Sequence, residues 1–128
     1  MFTLDQIGEI HHRFGKQSTL LPYLQALKAI GVKRYDSFVS DGHSEYYGHE
    51  NKKLVSPPVH PHYTIANASN LEAMLSHLNL HQEGKTGYLE MTRGLADSGV
   101  EKWTFDTQKM TLTFYGWGER ELLVEQIA

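Results

Sequence analysis

The stretch Gly99–Ile127, GVEKWTFDTQKMTLTFYGWGERELLVEQI, reads as a β-meander. Trp103 and Phe105 alternate with polar neighbours, as do Met110, Leu112 and Phe114, which is the two-residue period of a strand with one buried face. Asp106-Thr107-Gln108-Lys109 supplies the turn between these strands, and the Tyr115-Gly116 step leads toward a third.

Upstream, Ser69 with Glu72 has capping-box spacing, and Leu71, Met74, Leu75 and Leu78 follow at helical intervals. Thr86 is placed to start a second helix, which Gly99 would end in a left-handed conformation. The unit from residue 70 to 123 is therefore α-α-β-β-β.

The same unit stands 68 residues earlier. Thr3 and Gln6 resemble a capping box ahead of Leu4, Ile7, Ile10 and Phe14. A second helix starts near Ser18 or Thr19, tolerates Pro22 in its first turn, and carries Leu21, Leu24, Leu27 and Lys28 before Gly31. Strands are expected at Val32–Val39, Ser44–Tyr47 and Lys53–Val55, with the Asp41-Gly42 turn between the first two. Gly31-Val32 repeats as Gly99-Val100, Tyr47-Gly48 as Tyr115-Gly116, and Tyr35 matches Trp103, all without a gap. The expected fold is thus α+β: two pseudo-repeated units, 2–55 and 70–123, form a single domain across 1–128, with helices packed on an antiparallel sheet. Residues 56–67, SPPVHPHYTIAN, form an extended linker.

The run Gly99–Ile127, together with HQEGKTGY at His81–Tyr88, GVKRYDSFVSDGHSEYYG at Gly31–Gly48 and the opening MFTLDQI, resembles a family of uncharacterised bacterial proteins. That family includes the prophage-associated YdfO and YbcV, and the resemblance covers nearly the whole chain. It implies this fold and a cytoplasmic location, but brings no catalytic or binding residues. Relatives often have Cys near positions 91 and 112, where this chain has Met91 and Leu112.

Composition narrows the classes. Apolar residues are 40% and charged residues 21%, so a packed core is expected rather than disorder. The net charge is −3, and Lys and Arg occur singly or in pairs, so no basic stripe suits nucleic acid. No apolar run is long enough to span a membrane, the N-terminus lacks a signal-peptide pattern, and there is no Cys. Together these lean toward a cytoplasmic protein.

The two units differ where chemistry can sit. Phe105, Met110, Leu112 and Phe114 of the second meander correspond to Ser37, Gly42, Ser44 and Tyr46 of the first. The missing apolar volume must be refilled or left as a pocket. Refilling by the linker, through Val59, Tyr63 and Ile65, is the first expectation, and a ligand cavity the second.

Histidines gather in the same region. His43 lies between Asp41 and Glu45, while His60 and His62 flank Pro61 and would point the same way in an extended chain, as a metal pair would. His77 and His81 share a helix face, but Leu78 stands where a zinc-protease helix needs Glu. No nucleophile elbow or phosphate loop is present, no catalytic residues are assigned, and no cofactor is called for. The candidate ligand-binding set is Ser37, Asp41, His43, Ser44, Tyr46, His60 and His62. Tyr47, Tyr115 and Trp117 are the candidate contacts for a protein partner or a second copy of the chain. A non-enzymatic binding or adaptor domain is the leading reading. A small hydrolase or metal-dependent enzyme using the His/Asp cluster is the alternative.

Overall fold

A computed structural model describes residues 2–14 and 20–127. Helices α1 (Leu4–Phe14) and α2 (Leu20–Ala29) precede β1 (Arg34–Phe38), β2 (Ser44–Tyr47) and β3 (Lys53–Val55). Helices α3 (Leu71–Gln82) and α4 (Tyr88–Asp97) precede β4 (Lys102–Asp106), β5 (Thr111–Tyr115) and β6 (Glu121–Gln126). The α-α-β-β-β order therefore occurs in each half, and single 3-10 turns at His49–Asn51 and Trp117–Glu119 precede the last strand of each.

All six strands form one antiparallel sheet in the order β3-β2-β1-β4-β5-β6. The halves meet at the β1–β4 ladder, where Asp36 opposes Thr104 and Ser37 opposes Trp103. Alternation along these strands makes two unlike faces. Tyr35, Ser37, Ser44, Tyr46, Phe105, Leu112 and Phe114 face the helices. The opposite face carries Arg34, Asp36, Glu45, Lys102, Thr104 and Tyr115, and none of the described helices covers it.

The helices bury Ile7, Leu24, Leu27, Met74 and Leu95 against the sheet. Their ends follow local chemistry. Thr3 and Gln6 form the reciprocal bonds expected, with Gln6 N donating to Thr3 Oγ1 at 3.2 Å and Thr3 N donating to Gln6 Oε1 at 2.9 Å. Helix α3 departs from expectation. Its cap is Asn70, whose Oδ1 accepts from Ala73 N at 3.0 Å, because Ser69 Oγ is drawn away to donate to Gly99 O at 3.2 Å. Likewise Gly87, not Thr86, opens α4, and its N–H donates to Glu90 Oε1. Ser18 and Thr19 lie outside the described residues. Gly31 and Gly99 end the α2 and α4 turns at φ +100° and +78°, as a left-handed helix stop requires. Met110 does not extend β5; it occupies the turn with φ +55°.

Candidate functional site

A cavity of about 740 Å³ lies between the two helical hairpins and the helix-facing side of the sheet. Under the first meander its floor is Tyr35, Ser37, Ser44 and Tyr46; under the second it is Trp103, Phe105, Leu112 and Phe114. Leu4, Ile7, His11, Leu20 and Tyr23 line it from α1 and α2. Leu78, His81, Tyr88 and Met91 line it from α3 and α4, and Gly42, Ser56, Pro57 and Val59 close the linker side.

The linker does not refill this space, contrary to the first expectation. Ile65 joins the core and Tyr63 is half-buried, but Val59 remains 64% exposed at the cavity's edge. The reason is in the backbone. Val59 N and His60 N donate to Asp41 O at 2.8 and 3.1 Å, and Tyr63 N donates to Ser40 O at 2.6 Å, so the linker is pinned along the β1–β2 turn rather than across the sheet. Gly42, at φ +78°, allows this approach: a Cβ there would stand 2.9 Å from Val59 Cβ.

Aromatic rings order the cavity's middle. Tyr35 lies between Tyr46 and Phe105, at centroid separations of 5.0 and 5.1 Å, and Tyr23 meets both Tyr35 and Phe105 edge-on. The Tyr23 and Tyr35 hydroxyls are 2.9 Å apart, and His11 Nδ1 lies 3.3 Å from the Tyr23 hydroxyl. Burial raises the pKa of Tyr23 and Tyr35, and also of Tyr46 and Tyr88, so these phenols stay neutral. Ser44 Oγ reaches Ser37 Oγ only at 3.5 Å, leaving the Ser37 hydroxyl proton uncommitted among the described residues.

The remaining histidine and acidic candidates sit elsewhere. His43 stacks on Phe38, with Nδ1 2.6 Å from Asp41 Oδ1 and Nε2 3.2 Å from Glu45 Oε2. Burial opposes its charge, but the two carboxylates outweigh burial and raise its pKa above the ordinary value. In the protonated ring both nitrogens donate to these carboxylates. Glu45 is further tied to Tyr47 and Lys53.

His60 and His62 are placed unlike each other, beside a bend at residues 59–60 that interrupts the extended chain. His60 is buried and stacked on Tyr63, and its Nδ1 donates to Pro61 O at 2.8 Å; its Nε2 has no hydrogen-bond partner among the described residues, and His62 is exposed. His81 is drawn to Thr86 O. Among the described residues, no three His, Asp or Glu side chains are grouped to hold a metal ion.

Ser37, Ser44 and Tyr46 thus share the cavity, while Asp41 and His43 form a clamp outside it. Tyr47 and Tyr115 lie on the open sheet face beneath Arg34 and Lys102, and Trp117 is 48% exposed with its indole N–H donating to Ala66 O. Sequence reasoning missed Tyr23, Tyr88, His11, His81 and Glu125 as cavity residues. Helical spacing marked α1 to α4 as amphipathic, but gave no sign that the two hairpins part over the sheet.

The fold and cavity define an α+β protein with a partly open, largely apolar pocket between its helices and its sheet. Over residues 8–126 the chain matches the family described as Protein of unknown function (DUF1398), and it belongs to that family. No curated protein matches it in sequence. Among the described residues no helix is long and apolar enough to cross a membrane.

Proposed function

We propose that this is a non-enzymatic binding domain whose ligand is a small molecule held in the cavity between the helical hairpins and the sheet. The observation that carries the reading is the open 740 Å³ under Ser37, Gly42 and Ser44, within the usual size of ligand sites. Close-packed interiors hold few voids larger than a water molecule, so a space of this size suits a ligand. The chain is read as one domain of two pseudo-repeats, 2–55 and 70–123, in which the earlier meander gave up apolar bulk to open this space. Prophage-associated proteins such as YdfO and YbcV are its proposed relatives, and the cytoplasm its proposed location. The adaptor side of the reading assigns partner contact, including a second copy of the chain, to the half-buried Tyr47 and Tyr115 and the exposed Trp117. The net charge of −3 argues against nucleic acid.

The test is organic extraction of the purified protein followed by mass spectrometry, with Ser44→Leu as the filled-cavity control. A compound retained by the native chain and lost from Ser44→Leu supports the reading. An empty native chain whose melting temperature responds to no apolar compound overturns it.

A further inference from the structure

The cavity floor is divided. Over β1 and β2 it presents hydroxyls, Ser37, Ser44 and the Tyr46 phenol; over β4 and β5 it presents Phe105, Leu112 and Phe114. Among the described residues no Lys or Arg lines it, and the one carboxylate among them, Glu125, is exposed on β6 at the apolar end. The lining runs from β2 to β6, five adjacent strands, or about 19 Å at roughly 4.8 Å per strand.

Each property restricts the occupant. Among the described lining residues an anion would meet no Lys or Arg, only the imidazoles of His11 and His81, to offset its desolvation, and a cation would meet no carboxylate at the hydroxyl end. An uncharged oxygen, by contrast, can take the free Ser37 proton and the neutral phenols as donors. The long apolar remainder suits a chain rather than a compact ring system.

We propose that the cavity takes an uncharged single-chain amphiphile, its hydroxyl or carbonyl head against Ser37 and Ser44 and its chain over Phe105, Leu112 and Phe114. This rests on the cavity being a ligand site, and it adds the class and direction of the ligand. Ser37 and Ser44 are then specificity-determining residues, which the second meander, with Phe105 and Leu112 in their places, cannot duplicate.

The experiment uses the full chain carrying Trp117→Phe, which leaves Trp103, in the cavity wall, as the sole indole. Trp103 emission is titrated with 1-decanol, decanoate and decyltrimethylammonium below their aggregation limits. Decanol is expected to bind at least tenfold more tightly than either ion. Adding Ser37→Ala with Ser44→Ala should weaken decanol about five- to tenfold and leave the ions unchanged, the size of one or two lost neutral hydrogen bonds. Circular dichroism establishes that the double variant is folded. An ion that binds as tightly as decanol, or a decanol affinity indifferent to both serines, overturns the head assignment while leaving the cavity a ligand site. Failure of all three probes to bind overturns the proposal of a chain-like ligand, and extraction of a different retained compound would then separate that failure from failure of the cavity reading.

Discussion

Thr104 Oγ1 donates a 2.6 Å hydrogen bond to Asp36 Oδ1, joining two directly opposed residues at the β1–β4 seam. Both are buried, on the face that none of the described helices covers. Lys102 Nζ stands 3.7 Å from the other Asp36 oxygen and 2.8 Å from Glu119. Burial works against the Lys102 charge, yet these partners prevail and its pKa is raised. Replacing Thr104 by Val keeps the shape and removes the donor. The expected loss is about 1–3 kcal/mol, the cost of leaving a buried acceptor short of a partner, and urea denaturation measures it.

Filling the cavity should stabilise the empty protein. Ser44→Leu places at β2 the residue that β5 carries at Leu112, and apolar volume added to a void commonly contributes about 0.5–2 kcal/mol. A melting temperature that rises while ligand retention disappears is the expected pair of results. A fall in melting temperature would mean that the site is too tight to accept the chain.

His43 should titrate above the ordinary histidine value of 6.5. Its folded pKa is raised, so the stability it contributes is fully present below the unfolded pKa and is lost as pH rises through the folded one. Asp41 and Glu45 run the other way. Burial pushes both pKa values up, but hydrogen bonds, to His43 for Asp41 and first to Lys53 for Glu45, bring them below normal. Their contribution is present above the unfolded carboxylate values and fades as pH falls through the folded ones. The difference in stability between native and His43→Gln should therefore be largest near pH 5 to 6 and shrink on the alkaline side. Proton NMR of the imidazole and denaturation at several pH values test both halves of the statement.

Gly31 follows α2 and Gly99 follows α4, but the two should not tolerate the same change. A Cβ at Gly31 would find its nearest neighbour 3.9 Å away, on Phe2, so Gly31→Ala carries only the left-handed penalty of about 1–2 kcal/mol. At Gly99 the Cβ would run into the Ala68 carbonyl and stand 2.8 Å from Ser69 Cα. Backbone cannot swing aside as a side chain does, and Gly99→Ala should cost clearly more in thermal denaturation.

The fold was legible because its signals are local. Alternation in Trp103–Phe105 and Leu112–Phe114, the Gly31 and Gly99 stops, and the Thr3–Gln6 box each depend on neighbours in sequence, and each is found where the chain places it. The caps of α3 and α4 were misread because Ser69 answers to Gly99, thirty residues away, a pull that spacing cannot reveal. Comparing Ser37, Ser44 and Tyr46 with Phe105, Leu112 and Phe114 pointed to the region of missing bulk. Whether Val59 would occupy it depended on hydrogen bonds from the linker to Ser40 and Asp41, which no periodicity encodes. The placing of the histidines was hidden for the same reason: His43 has carboxylates on both sides, and His60 lies buried at a bend.

The β1–β4 ladder also governs what happens if the chain is cut. A fragment ending after Val55 would leave β1 with a naked row of amides and carbonyls, beside a greasy surface stripped of half its neighbours. Such a piece has two ways to hide that border, clumping or pairing with its own twin, so severing residues 56–70 should yield sticky or self-associating halves rather than two independent miniature proteins.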